Sequence, residues 1–256
     1  GIRNDKSERG LLLYDFMTQN SLSDNEAELS KSIIKESVTR DGIPLIIIQF
    51  RNRFPECSAE AFSFCVFQAI SKYWTDEHAV LFDCTLFTDF DVLDRYTHYL
   101  TTLISEEAFA NCKRVYFYNT SHYFFQFLSD NLKRGTIWAH MVELGTELLF
   151  ISAMDDNKTY AKAGLTGYSN SITDDIRVSF NDVSLYQESV GRFIPVKLKI
   201  GNEYLHIAFS QQQRHKIAGK MREIDLIDTY KISDLQNIGA TTYTGVSNEI
   251  TMYDSS

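Results

Sequence analysis

A carboxylate follows an apolar run in a place where some enzymes keep a nucleophile. The run covers residues 80–85 and reads VLFDCT. Phosphotransferases of the aspartyl-nucleophile type place an aspartate at such a strand end, where it attacks phosphorus and binds magnesium. They also need a second aspartate two residues later, and that position here is Thr85. The pattern therefore favours a turn or cap role for Asp83 over a catalytic one.

Other catalytic patterns are missing from the sequence. It has no GxSxG elbow, GxxxxGK[ST] loop, HExxH or GxGxxG, and its six histidines are scattered among separate segments. The four cysteines, at positions 57, 65, 84 and 112, have no CxxC spacing. We interpret them as structural thiols in a reducing compartment, with a disulfide or a metal site as the alternatives. We therefore expect a chain without catalytic activity, without a metal site and without a cofactor.

Composition and charge exclude several classes of protein. The chain has 256 residues, 44% of them hydrophobic, and no apolar run near the ~18 residues of a membrane helix. The N-terminus has no hydrophobic signal region, so we expect a cytoplasmic protein. The net charge of −9 argues against nucleic acid as a partner. A basic stretch at 214–222 suits a solvated loop best, with an anionic lipid or an acidic partner as alternatives.

Strands that alternate with helices predict an α/β domain over residues 42–152. Residues 1–41 are expected to be a helical segment, with apolar positions at helical spacing as far as Val38. Apolar strands are expected at four places, each followed by a helix-length segment: 43–50, 79–83, 115–119 and 148–151. Such alternation implies right-handed crossovers and a largely parallel sheet.

From about residue 175 the pattern changes to period-two alternation without long helices. Segments 177–180, 193–200, 203–209 and 223–227 predict an antiparallel sheet, with a hairpin turn at Gly201-Asn202. Between the two regions lies a polar stretch at 155–173 that contains Gly164 and Gly167. It is either a linker or a mobile lid.

The order of these segments resembles a known family. Residues 41–54, 79–85 and 114–121 resemble strands of lipid-transfer domains of the CRAL-TRIO type, especially the version in neurofibromin. Residues 180–186 through 230–233 look like the pleckstrin-homology-like domain fused behind it. The fungal character of the sequence suggests the yeast Ras-inhibitory relatives of neurofibromin. The resemblance covers residues 42–256.

The resemblance implies a lipid-binding regulatory module of a Ras GTPase-activating protein, a negative regulator of Ras signalling. Its fold is a CRAL-TRIO-type α/β domain over 42–174, with a helical lid at about 154–168, followed by an antiparallel pleckstrin-homology-like domain over 175–256. The lid, contacted by the second domain, covers a bound glycerophospholipid. The chain is peripheral at membranes, and Ras is acted on only by a separate domain of the parent protein. The alternative is a protein interaction scaffold without lipid.

Two departures from the family pattern concern the headgroup contact and the second domain. The strand before the lid opens with Glu147, where the neurofibromin counterpart is basic. The chain also ends at Ser256 without the helix that closes a pleckstrin fold. The Phe-Leu-Arg and Pro-Ala signature of the GTPase-activating domain is absent, so no catalysis is expected here.

The predicted lipid site combines apolar side chains from four strands, one helix and the lid, which together form the floor and roof of one elongated cavity. They are Ile46, Ile48, Phe50, Leu81, Tyr116, Tyr118, Phe124, Phe150, Tyr160 and Leu165. A phosphate at the cavity mouth requires cationic partners, because a buried anion without them is costly. The candidates are Arg51, Arg53, Lys113, Arg114, Lys158 and Lys162.

Overall fold

Two compact units make up the chain. The computed structural model describes residues 6–49, 51, 57–87, 90–131, 136–153, 160, 163–210, 213–217, 219–242 and 248–254. The first unit is Gly1–Tyr168 with Gln212–Leu226, and the second is Ser169–Gln211 with Ile227–Ser256. A division at residue 174/175, as the sequence suggests, differs from this one in the positions of residues 169–174 and of Gln212–Leu226.

A five-stranded sheet forms the centre of the first unit. In spatial order its strands are β1 (Ile34–Val38), β2 (Pro44–Gln49), β3 (His78–Asp83), β4 (Cys112–Tyr118) and β5 (Glu147–Ile151). Strands β2 to β5 are parallel, and β1 pairs antiparallel with β2. Every residue of β3 is buried. Because both faces of the central strands are covered, their sequences are continuously apolar and do not alternate.

Helices cover one face of this sheet. Those of the first unit are α1 (Glu8–Gln19), α2 (Asp24–Ile33), α3 (Ala59–Ser71), α4 (Phe90–Leu103), α5 (Glu106–Asn111), α6 (His122–Asn131) and α7 (Ile137–Glu143). Side chains of α3, α4, α5 and α7 pack with Val80, Phe82 and Val115. Phe124 of α6 contacts Phe117 there, with ring centroids 6.0 Å apart. We call this side of the sheet the helix face.

The N-terminal segment differs from its expected helical form. Residues 34–38, expected to extend a helix, form β1, with Ile34 opposite Ile48 and Val38 opposite Pro44. Backbone pairing with the edge of β2 that β3 does not occupy outweighs the helical spacing of apolar residues, which is a weak local signal. The helix before it is set by a capping box in which Ser23 and Glu26 each accept a hydrogen bond from the other's backbone N–H.

The second unit is built mainly from antiparallel strands. After the short helix α8 (Ser171–Asp174), its four-stranded sheet has the order β11-β8-β7-β6 and comprises β6 (Ile176–Gln187), β7 (Arg192–Gly201), β8 (Tyr204–Phe209) and β11 (Ile227–Lys231). A 3-10 turn at Ile232–Asp234 leads to a separate hairpin of β12 (Leu235–Thr242) and β13 (Asn248–Asp254). Gly201-Asn202 joins β7 to β8 at the expected turn.

One hairpin from the C-terminal third belongs to the first unit. It consists of β9 (Gln213–Ile217) and β10 (Lys220–Ile224). The sequence predicts a single strand over 223–227, but β10 ends at Ile224 and β11 begins at Ile227. That break coincides with the passage from one unit to the other after Leu226.

We predict that the second unit loses stability on acidification through His206. This side chain is fully buried, and its Nδ1 lies 2.8 Å from the Thr229 hydroxyl oxygen. Burial lowers the pKa of His206 from 6.5 to about 4. Below pH ~6.5 the unfolded chain therefore binds more protons than the folded one, and about 3 kcal/mol is lost as the pH falls through ~4.

Hydrogen exchange at the amides of Leu205 and Ile207 measures this loss locally. Their protection should fall between pH ~7 and ~4 in the wild type and stay nearly level in His206→Gln. An equal fall in both proteins would assign the acid sensitivity to other groups.

Candidate functional site

The sheet face opposite the helices is apolar and covered by a short segment. We call it the lid face; its strand residues are Leu45, Ile47, Ala79, Leu81, Tyr116, Tyr118, Leu149 and Ile151. Tyr160, Ala163, Leu165 and Tyr168 pack against it. We call residues 160 and 163–168 the lid segment; the other residues of the predicted lid, 154–159 and 161–162, lie outside the described part of the chain.

The lid segment is attached at the edge where the parallel strands begin. The Tyr116 hydroxyl donates to the Ala163 carbonyl at 2.6 Å, and the Arg40 N–H donates to the Gly164 carbonyl at 2.8 Å. Gly164 has φ +78°, and a Cβ there would lie 3.3 Å from Arg114 Nη1. Both the backbone angle and the close approach of Arg114 favour glycine at this position.

Arg114 is held by carboxylates at this same edge. Its Nη1 and Nη2 donate to the two oxygens of Asp41 at 3.0 and 2.7 Å, and its Nε lies 4.0 Å from Glu147. Hydrogen bonds from the Arg114 guanidinium, and then from the Thr39 hydroxyl, hold the pKa of Asp41 well below its usual range. Reciprocally, Asp41 raises the pKa of Arg114. An anion that approached Arg114 would have to displace Asp41.

A second attachment lies at the opposite edge, where the strands end. The Tyr168 hydroxyl donates to Asp83 Oδ2 at 2.7 Å and accepts from Gln49 Nε2 at 2.8 Å. Arg51 Nη1 lies 2.6 Å from the same carboxylate oxygen, and the Thr85 N–H donates to Oδ1 at 3.0 Å. Burial, and then the charge of Asp83, raises the pKa of Tyr168, which keeps its hydroxyl protonated and able to donate.

Asp83 therefore has the arrangement of a structural residue. The Thr85 N–H bond is that of a residue closing a strand into a turn, and the Asp83 side chain is fully buried. Among the described residues, no three His, Cys, Asp or Glu side chains are grouped so that they could hold a metal ion. The described helices include none that is long and apolar enough to span a membrane.

The predicted lipid-binding residues divide between the two faces of the sheet. Those on the helix face are Ile46, Ile48, Phe124 and Phe150, and those on the lid face or in the lid segment are Leu81, Tyr116, Tyr118, Tyr160 and Leu165. Phe50 lies outside the described residues. Since successive residues of a strand point to opposite faces, one cavity floor cannot combine both groups. The expected single cavity lining is therefore corrected to two groups of residues, one on each face of the sheet.

The predicted headgroup cations are separated as well. Arg51 follows the end of β2, whereas Lys113 and Arg114 begin β4, so they lie at opposite edges of a parallel sheet. Five strand residues at ~3.3 Å each separate these edges, which is too far for one phosphate to bridge. The Lys113 Nζ lies 3.8 Å from Glu77 Oε1, so this lysine already has a carboxylate partner. Arg53, Lys158 and Lys162 lie outside the described residues.

A small apolar cavity occurs on the helix face. The space open to the centre of a water molecule is about 50 Å³, and the walls include Trp74, Tyr96, Leu100 and Trp138. Pockets for drug-sized ligands measure about 300–1,000 Å³. This cavity is therefore too small for a phospholipid, and it lies across the sheet from the lid segment.

Sequence reasoning singled out Asp83, Arg51 and Arg114 but missed their partners. The roles of Asp41 and Gln49 depend on strand register, because each lies at a strand end that only the folded sheet brings near the lid segment. Tyr168 carried one available signal, since it follows Gly167 at the end of the polar stretch.

We predict that Tyr168→Phe destabilises the first unit by about 1–3 kcal/mol, because it removes the hydroxyl that accepts a hydrogen bond from the buried Gln49 amide and donates one to buried Asp83. Tyr123→Phe is the matched control: Tyr123 is 71% exposed and should change stability by less than about 0.5 kcal/mol. Urea unfolding followed by the fluorescence of Trp74 and Trp138, both in this unit, measures the difference. Equal midpoints for the two variants would contradict the attachment.

The chain is similar to two yeast regulator proteins over most of its length. No protein-family model matches the chain. It is 29% identical over 248 residues to Inhibitory regulator protein IRA1 of Saccharomyces cerevisiae, and 28% identical over 247 residues to Inhibitory regulator protein IRA2. Each alignment covers 94% of this chain, and the chain spans 8% of the length of each relative. The predicted kinship with fungal inhibitory relatives of neurofibromin is thereby confirmed, and the chain is homologous to a segment of these yeast regulator proteins.

Proposed function

We propose that this chain is a non-catalytic regulatory module of a Ras GTPase-activating protein, a negative regulator of Ras signalling, and that it binds a glycerophospholipid on its lid face. The homology to two inhibitory regulators supports the regulatory part. The lack of known catalytic motifs in the sequence is compatible with it. In the parent protein, Ras would be the substrate of a separate domain.

The observation that carries the lipid proposal is the unequal covering of the sheet. The helix face packs against five helices, whereas the lid face is covered by a segment of which seven residues are described. Within the described part of the chain, that segment contributes three buried side chains, Tyr160, Ala163 and Leu165. An apolar sheet face that packs against a segment such as this, and not against a layer of helices, is suited to acyl chains, since each buried methylene contributes about 0.8 kcal/mol.

Lipid entry requires the lid segment to move. In the observed arrangement Tyr160, Ala163 and Leu165 occupy the space against Leu81 and Tyr118 that acyl chains would take. Their displacement would break the hydrogen bonds of Tyr116 and Tyr168 at the two edges. Net hydrogen bonds are worth only about 0.5–1.5 kcal/mol each, so acyl-chain burial is large enough to offset their loss.

The headgroup is best placed at one edge. Arg114 presents a planar guanidinium beside Gly164, and a phosphate could replace Asp41 as its bidentate partner. Lys158 and Lys162, the predicted cations of the lid, lie outside the described residues. The membrane surface, reached peripherally from the cytoplasm, would be the source of the lipid.

A scaffold without lipid is the second candidate, and one observation favours it. The lid face is filled by the chain's own side chains, with Tyr116, Tyr118 and Leu165 almost fully buried. A surface that already packs in this way needs no ligand for stability. The two candidates differ in whether phospholipid is bound at stoichiometric amounts.

We predict that the purified chain carries or takes up one glycerophospholipid, detected by native mass spectrometry before and after incubation with phospholipid vesicles. Leu149→Trp places a larger side chain on the lid face and should lower uptake at least about tenfold, because it fills the acyl-chain space. Phe150→Trp is the matched control, since Phe150 is the next residue of β5, is also half-buried and contacts Phe117 on the helix face.

Three outcomes decide between the candidates. Loss of uptake in Leu149→Trp alone supports binding on the lid face. Loss in Phe150→Trp alone would overturn that placement. If the folded wild-type chain retains no phospholipid and acquires none from vesicles, the scaffold is the better account.

A further inference from the structure

The hairpin of β9 and β10 has two chemically different faces. Residues directly opposite in an antiparallel pair share a face, and the register pairs Arg222 with His215 and Met221 with Lys216. One face therefore carries His215, Ile217, Lys220, Arg222 and Ile224, of which the two isoleucines are buried. We call the other, which carries Arg214, Lys216, Met221 and Glu223, the outer face.

The first of these faces fixes the hairpin to its unit. Arg222 Nη1 donates to the Leu148 carbonyl of β5 at 3.0 Å, and the rings of His215 and Phe125 lie 4.2 Å apart. Burial, followed by the charge of His122, lowers the pKa of His215. The hairpin is thus held in place through its first face, and the outer face lies on the side away from these contacts.

The outer face and the tip of the hairpin expose an apolar side chain beside two lysines. Met221 is 57% exposed, and its cross-strand neighbour Lys216 is exposed as well. Lys220 belongs to the first face by register, but it lies at the tip of the hairpin beside Gly219 and is also exposed. Arg214 lies 3.6 Å from Glu223, whereas neither Lys216 nor Lys220 has a carboxylate at ion-pair distance within the described ranges.

The hairpin is a cationic patch on an anionic chain. Its residues 213–224 include four Lys or Arg and one Glu, a net charge of +3, whereas the whole chain carries −9. A negatively charged surface repels the chain in most orientations and attracts it here. This contrast selects the partner's charge. Because the first face packs against its own unit, the outer face and the tip of the hairpin are the parts left to meet that partner.

We propose that the outer face of this hairpin, together with its tip at Lys220, docks on a membrane surface that contains anionic lipids. Lys216 on the outer face and Lys220 at the tip approach the headgroup phosphates, and Met221 enters the interfacial region beside them. The exposed strand surface has no groove that would match one particular peptide, and an exposed thioether suits insertion among lipids. This docking is independent of lipid bound on the lid face, because it uses different residues.

Vesicle co-sedimentation of the full chain tests the proposal, with phosphatidylcholine vesicles that either contain or lack phosphatidylserine. The wild type should bind the anionic vesicles more tightly, and added salt should weaken that binding. The Lys216→Ala, Lys220→Ala double variant should bind them about thirtyfold less well, which corresponds to ~1 kcal/mol for each lysine. Met221→Ser should weaken binding without changing its salt dependence.

The matched control removes two exposed lysines elsewhere, Lys35→Ala with Lys231→Ala, and changes the net charge equally. It should retain nearly wild-type binding. Equal losses in the two double variants would overturn the proposal, because overall charge would then explain the effect. Equal binding to both kinds of vesicle would also overturn it, as would binding to polyglutamate but not to anionic vesicles, which would identify an acidic polypeptide as the partner. Circular dichroism confirms that each variant is folded.

Discussion

The apolar lid face must be kept from water, and the attachments of the lid segment follow from that constraint. A buried sheet needs a cover on both sides. Helices provide it on one side, and residues 160 and 163–168 provide it on the other. Polar contacts at both edges hold the described part of this cover in place. Asp83 with Tyr168 forms one, and Tyr116 with Ala163 forms the other.

The two attachments differ in how readily they could release. At the edge where the strands end, Asp83 is fully buried and shared by Arg51, Thr85 and Tyr168, so loss of one partner leaves an under-solvated carboxylate. At the other edge, Asp41 is half-exposed and water can solvate it when Arg114 changes partner. The cost of opening is therefore concentrated at Tyr168, and the edge near Gly164 separates more easily.

Local sequence predicts the strands better than it predicts their faces. Residues 44–48 and 79–82 form continuous apolar runs, which identify buried strands but hide the alternation that would tell one face from the other. Ile46 and Leu81 were therefore assigned to one cavity although they lie on opposite sides. Residues 34–38 were missed as a strand because pairing with β2, a tertiary contact, decides their conformation. The partners of Asp83 were hidden for the same reason, since Tyr168 lies 85 residues away in sequence.

Chain connectivity places the more costly attachment next to the second unit. The first unit is interrupted after Tyr168, and Ser169 begins the second, so the residue that bonds to Asp83 is covalently joined to the other unit. The chain then returns as the β9–β10 hairpin, which Arg222 ties to the carbonyl of Leu148 in β5, before it leaves again after Leu226. The change of pattern at about residue 175 conceals this route, because the basic hairpin resembles the rest of the β-rich region in sequence. The contact whose loss costs the lid segment most is therefore made by the last residue before the chain passes from the first unit to the second.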